Sequence, residues 1–430
     1  MASAAPSGPL RWATALGVPA PRDGAASDAA RFRSELDRAL AVSAGAERHL
    51  AVERGQGELW MLLASPCGVA EESTTDAGLG AVAVLASIEA RRRPGDVAVE
   101  PWITPDGVGV VAHASFRDER ETAEALARRI ADAAARTLTA TVPAGEALQS
   151  ARTAVLDHLE RTAGHQGAAE GALAPAIAPD HPSWVEPFGL FRRVVEASAE
   201  SVHARGQALA FGPLRLAVLA NGDAAQAAAA ADAVDRWLSP APGPRTCRVG
   251  PASPPRTGHL DVRLPDGAPL AQGLVGVALP LPPSPGNGPY AYRHSTDLTA
   301  AVLDGPGGLL AGALASAGAT ASVRVLGGSR APALVVDVRA PEGGLAAAVA
   351  EVKALLLRLP TTVTEADLAR AAALVERREQ DARADPRRRL ADLWIGRPAP
   401  PARPTLAAFR AFLAVALREA ALVVVEARPS

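Results

Sequence analysis

The sequence predicts an α+β fold of two similar halves, each a mainly antiparallel sheet packed with helices. Three observations carry that prediction. A strand pair followed by a long amphipathic helix occurs twice in the same order; a Pro- and Gly-rich break, SPAPGPRTCRVGPASPPRTG, stands between the copies at 239–258; and each copy closes on a short apolar strand. At 430 residues the chain also exceeds one ordinary core, since domains run to roughly 100–200 residues.

Residues 1–30 are rich in Ala, Pro, Gly and Ser without periodicity and read as a disordered tail, with order expected from about Phe32. The first domain is then expected over 31–238. Its strands are VAVEPWIT (97–104) and GVGVVAHASF (107–116), which alternate about a Pro-Asp-Gly turn. In the helix that follows, Ala123, Leu126, Ile130, Ala133 and Thr137 recur at spacings of three and four, which gathers them on one stripe. A second helix is expected over 145–162, another near 187–204, and a closing strand at RLAVLANG (215–222). The prolines and glycines of 239–258 forbid a helix and remove ladder donors, which makes that segment the linker. The second domain, 259–430, repeats the pattern: strands TASVRVLG (320–327) and ALVVDVRA (333–340), then a helix with the stripe Leu345, Val349, Val352, Leu356, Leu359. A helix over 364–383 opens on a capping box of Thr364 and Asp367, another helix lies near 404–418, and ALVVVEA (421–427) is the last strand. Matching positions are offset by about 207 to 222 residues, which points to duplication of one unit.

Composition excludes several functions. Net charge is −2, with 44 basic and 46 acidic residues interspersed, so the chain has no electrostatic footprint for nucleic acid or an anionic membrane. Hydrophobic residues make up 48% but aromatics only 3%, so small side chains must pack the helices closely. The two cysteines, Cys67 and Cys247, are far apart in sequence and in unlike contexts, each expected as a small buried hydrophobe. The first residues lack the basic start and unbroken apolar run of an export signal, and no segment has 18 consecutive apolar residues. The expected location is cytoplasmic, or periplasmic if an upstream signal is missing.

The motifs that carry chemistry are absent. There is no phosphate-binding Gly-rich loop with Lys, no dinucleotide fingerprint and no Gly-x-Ser-x-Gly elbow. The run Asp304-Gly305-Pro306-Gly307-Gly308 lacks a basic phosphate partner and reads as a turn between helices. Among eight histidines no pair stands at metal-ligand spacing on a helix. Asp157, His158, Glu160 and His165 are the nearest cluster, with Gly164 expected to end the helix before His165.

Taken in order, these segments resemble the insulinase/pitrilysin family of zinc metallopeptidases, whose signature is His-x-x-Glu-His on a helix. ELWMLLASPCGVAEES supplies the apolar strand, the small-residue turn and Glu71 or Glu72, and Gly78-Leu79 stands where the zinc helix opens. The three signature positions hold Ala81, Val84 and Leu85. ARTAVLDHLE (151–160) is similar to the helix that carries the third, acidic ligand, with Asp157 near its place. DHPSWVEPFG (180–189) and LRLAVLANGD (214–223) match later family segments, and ALASAGATASV (313–323) has Ala and Ser where the substrate-contacting Arg would stand and Ala321 where the Tyr would.

The resemblance implies two metallopeptidase-type domains without a catalytic centre. Zinc hydrolysis needs neutral imidazoles, a carboxylate and a general-base Glu, and three apolar residues supply none of them. It further implies a non-catalytic partner subunit, similar to that of mitochondrial processing peptidase, which forms a heterodimer with a catalytic zinc-peptidase homologue and binds peptide. Gly305, Gly307 and Gly308 would then be the peptide-contacting loop. No cofactor is expected. A stand-alone peptide-binding or structural protein is the alternative, and a third reading places a cryptic metal at Asp157, His158 and His165.

Overall fold

The computed structural model describes residues 46–53, 58–66, 72, 75–91, 97–139, 142, 144–162, 165–179, 187–212, 214–221, 224–235, 255–256, 258–264, 271–280, 293–327, 331–395 and 403–429. The expected tail, both cysteines, Glu71 and nearly all of the expected linker lie outside these residues.

Two five-stranded sheets are built to one plan. The first contains β1 (Ala46–Glu53), β2 (Glu58–Ser65), β3 (Ala98–Thr104), β4 (Gly107–Ser115) and β5 (Leu214–Asn221), in the order β1-β5-β2-β4-β3. The second contains β6 (Gly258–Leu264), β7 (Ala271–Ala278), β8 (Thr320–Leu326), β9 (Ala333–Ala340) and β10 (Leu422–Pro429), in the order β6-β10-β7-β9-β8. Each has one parallel pairing, β1 with β5 and β6 with β10, and is otherwise antiparallel. This is the mainly antiparallel α+β architecture expected, and the repeated order is the topological counterpart of the offset seen in sequence.

The helices in chain order are α1 (Leu79–Glu89), α2 (Ala123–Thr139), α3 (Glu146–Thr162), α4 (His165–Ile177), α5 (Phe191–Glu196), α6 (Ala199–Phe211) and α7 (Ala224–Asp235). After β7 come α8 (Arg293–Asp304), α9 (Leu309–Leu314), α10 (Leu345–Thr362), α11 (Glu365–Arg383), α12 (Pro386–Trp394) and α13 (Leu406–Ala416). The helix expected near 187–204 is in fact two. Ser198, with extended backbone, accepts a hydrogen bond from the Ser201 N–H at 3.0 Å and starts α6 afresh, as an N-cap serine does. The capping box is present: Asp367 Oδ2 accepts from the Thr364 N–H at 3.0 Å, and Thr364 Oγ1 from the Asp367 N–H at 3.2 Å.

Compact unit 1 comprises 1–156, 187–249 and 382–399, and unit 2 comprises 157–186, 250–381 and 400–430. Each therefore owns one sheet and one helix taken from the other half of the sequence. In unit 1 the strand alternation sorts the sheet into two faces. Leu59, Met61, Leu63, Val108 and Val110 pack with α2 on one face, whereas Leu62, Ala64, Val111, Ala217 and Leu219 pack with Leu390, Leu393 and Trp394 of α12 on the other. Unit 2 repeats this. Val275, Val277, Val336 and Val338 pack with α10 residues Leu345, Val349 and Val352 on one face, and Leu274, Val335, Val423 and Val425 with α4 residues Leu173 and Ile177 on the other.

The stretch Arg293–Ala317 is long and apolar enough by composition to cross a membrane. It is two helices rather than one, α8 ending at Asp304 and α9 starting at Leu309, and Leu298, Val302, Leu310 and Leu314 are part of the second core.

Candidate functional site

The helix on which the family signature would stand is α1, and its start is held by a carboxylate eight residues or fewer upstream. Gly78 adopts a left-handed φ of 97° and offers no side chain to cap the helix. Glu72 does so instead: its Oε2 accepts the Gly78 N–H at 2.7 Å and its Oε1 the Gly80 N–H at 2.8 Å. Arg205 of α6 donates from Nε to the same Oε1 at 3.2 Å. The Glu72 side chain is 1% exposed and that of Arg205 14%. Burial pushes the Glu72 carboxyl up, while Arg205 and the two backbone donors pull it back. The negative charge at the helix start suits the positive end of the helix dipole.

A second lock lies on the same turn. Gly189, φ 99°, approaches Gly78 so closely that a Cβ built on it falls 2.3 Å from the Gly78 Cα, and one built on Gly78 falls 2.5 Å from the Phe188 carbonyl oxygen. Only two glycines fit back to back here.

Within this frame Ala81 and Val84 are buried, at 0% and 3% exposure, and Leu85 is half-buried. Val84 belongs to the first core together with Val110 and Leu209. The spacing i, i+3, i+4 puts the three on one helix face. None of their atoms can ligate an ion or accept a proton, so the residues present do not fit a zinc ion at this position.

The remaining expected positions are scattered. Asp157 is exposed and His158 half-buried on α3. That helix ends at Thr162 and His165 begins α4, so no single helix face carries both histidines; the His165 side chain lies outside the described residues. Gly305 and Gly308 are buried in the α8–α9 turn, where a Cβ would meet Ala301 O at 2.7 Å and Leu303 O at 2.4 Å respectively. Gly307 is exposed, with φ 72°. Ala321 is half-buried on β8.

Sequence reasoning missed what Glu72 does. The residue was in view, but its bonds to Gly78, Gly80 and Arg205 are made by a folded turn that no periodicity encodes. It also missed His259, Asp261 and Glu426, whose ligand atoms all lie within 4.8 Å of one another. The His-x-Asp spacing on a strand was legible; its partner comes from the far end of the chain.

No family model matches the sequence, and no curated protein matches it. Solved structures do match in fold. A peptidase M16 inactive domain from Pseudomonas fluorescens is 16% identical, with a TM-score of 0.72, covering 90% of this chain and 97% of that one. An M16-like peptidase from Alicyclobacillus acidocaldarius is 14% identical with a TM-score of 0.69 and the same two coverages, 90% and 97%. Pitrilysin is 13% identical with a TM-score of 0.62, covering 90% of this chain and 44% of pitrilysin.

The chain thus has the fold of the M16 metallopeptidases, the structural class that includes pitrilysin. At the positions that the sequence resemblance assigns to His-x-x-Glu-His, α1 carries Ala81, Val84 and Leu85.

Proposed function

We propose that this protein is a non-catalytic partner subunit of a zinc-dependent peptidase, binding peptide beside a catalytic homologue. The observation that carries the reading is the state of α1. Its start is fully built by Glu72, Arg205 and the Gly78–Gly189 contact, while the signature face is apolar and packed into the core. A scaffold of this kind retains the shape of a peptidase half without its chemistry. Of the three glycines assigned to peptide contact, Gly307 is the exposed one, and the role is given to it.

Affinity purification from the native host with quantitative mass spectrometry tests the proposal. A homologue bearing an intact His-x-x-Glu-His at near-equal amount is expected. Recovery of the chain alone as a monomer or homodimer would favour a stand-alone binding protein, and zinc-dependent peptide cleavage by the purified chain alone would overturn the non-catalytic reading.

A further inference from the structure

We propose that His259, Asp261 and Glu426 form a zinc-class divalent metal site on the edge of the second sheet, independent of the signature helix. His259 and Asp261 are two residues apart on β6, the edge strand, and so share one face. The parallel register sets Glu426 of β10 beside Asp261 and Val424 beside His259, which brings the third side chain to the same face. His259 Nε2 is 3.5 Å from Asp261 Oδ1 and 3.6 Å from Glu426 Oε1. Those gaps exceed the ~2.7–3.2 Å of an N–H···O hydrogen bond. They match the roughly 3.4 Å that separates two donors each about 2.1 Å from one tetrahedral ion.

Glu426 supplies the second observation. Its side chain is 4% exposed, and Arg428 donates to Oε2 at 2.6 Å. Among the described residues no donor reaches Oε1, the oxygen turned toward His259. Oε1 thus belongs to a side chain that is otherwise buried, and it faces the groove as a fixed acceptor open to a cation. By holding Oε2, Arg428 fixes the direction in which Oε1 points, as outer groups do around metal ligands.

The surroundings leave room for the ion's other ligands. On the first sheet α7 packs over β5 and β1. On the second sheet the helix packed on β6 is α4, which meets the opposite face through Val262, Val423 and Val425. The face carrying His259 and Glu426 instead borders a groove of about 530 Å³, lined also by Lys353, Glu419 and Leu422. One imidazole with two carboxylates suits Zn²⁺ or Mn²⁺ over the soft Cu⁺, and a three-residue set leaves a position for water or a ligand carboxylate.

Untagged full-length protein, stripped with chelator, is titrated with ZnCl₂ by calorimetry and with CoCl₂ by visible absorption. One equivalent with the d–d bands of low-coordinate Co²⁺ is expected, and excess MgCl₂ should not displace it. H259A and D261N change exposed side chains and should each weaken binding at least ~10-fold, with unchanged circular dichroism. E426Q should do the same, and its circular dichroism shows whether Arg428 has been released with loss of fold. A D157N/H158A variant should bind as the parent does. Absence of zinc uptake by the parent chain overturns the proposal, as does uptake that H259A and D261N leave intact.

Discussion

A buried carboxylate facing two N–H groups and a guanidinium has no substitute among neutral side chains, and Glu72 is in that position. Glu72→Ala strands the buried Gly78 and Gly80 donors and removes the ion pair with Arg205, so we expect a loss of about 3–5 kcal/mol in urea denaturation. A loss under 1 kcal/mol would mean that water takes over the role. Gly189→Ala faces both a left-handed backbone, worth about 1–3 kcal/mol, and the Gly78 backbone 2.3 Å from the new methyl. It should cost more than the same change at Gly171, where a Cβ meets nothing within 4 Å. Glu121 gives the pH dependence. The hydrogen bonds from Arg129, at 2.9 Å, hold its carboxyl below the ordinary 4.5. A depressed carboxyl contributes stability that is full above its unfolded pKa and is lost as pH falls through the folded one. Urea midpoints taken from pH 7 down to pH 3 should therefore fall below pH 4.5, and less steeply for Glu121→Gln. Equal slopes would remove Glu121 as a source of acid sensitivity.

At the scale of elements, α1 separates a site that lacks ligands from a site that has been repacked. Were the face merely vacant, writing the signature back in would restore an ion site; because Ala81 and Val84 are buried, it should instead break the core. Overpacking at Ala81 costs about 1–3 kcal/mol and an uncompensated charge at Val84 about 3–5 kcal/mol. The variant Ala81→His, Val84→Glu, Leu85→His is accordingly expected to lose roughly 4–8 kcal/mol, to bind no zinc at α1 and to cleave no peptide. A folded triple variant that takes up a second zinc beyond the one held at His259, Asp261 and Glu426 would refute the repacking. The elements that sequence could locate are those whose burial has a period. The alternation of Gly107–Ser115 and the stripe on Ala123–Thr139 each name one buried face. α4 and α12 escaped for a physical reason. They pack on sheets whose strands come from the other half of the chain, and periodicity within a helix says which face is buried but not against what. The absent signature was equally legible, because three apolar residues at fixed spacing need no structure to be recognised as non-ligands. Glu72 and the His259 cluster were not, since they depend on a turn and on a strand pairing.

The duplicated plan of the molecule hides an exchange. Both sheets have the same strand order, yet each is closed on one face by a helix encoded in the other half, α12 on the first sheet and α4 on the second. In unit 1 the exchanged helix is bound firmly. Trp394 is 1% exposed, its Nε1 donates to the Arg215 carbonyl at 2.9 Å, and Arg215 returns a bond to the Trp394 carbonyl at 3.0 Å. Arg387 adds an ion pair with Glu100. A chain cut within 239–258 then yields two fragments that each lack a sheet cover. The first leaves Leu62, Ala64, Val111, Ala217 and Leu219 without α12, and the second keeps α12 with nothing of its own to pack it on. The second also leaves Leu274, Val335, Val423 and Val425 without α4. With each buried aliphatic side chain worth about 1.5–3 kcal/mol against a net domain stability of about 5–15 kcal/mol, neither fragment should hold its fold alone. Separately expressed fragments are expected to aggregate or to give broad amide proton spectra, and co-expressed ones to copurify as a one-to-one complex that unfolds in one transition. Trp394→Ala in the second fragment should weaken that complex, because it empties the largest side chain from the exchanged interface. Two fragments that fold independently and show no affinity for one another would mean that the helices only rest on the sheets, and that each half of the sequence is a domain in its own right.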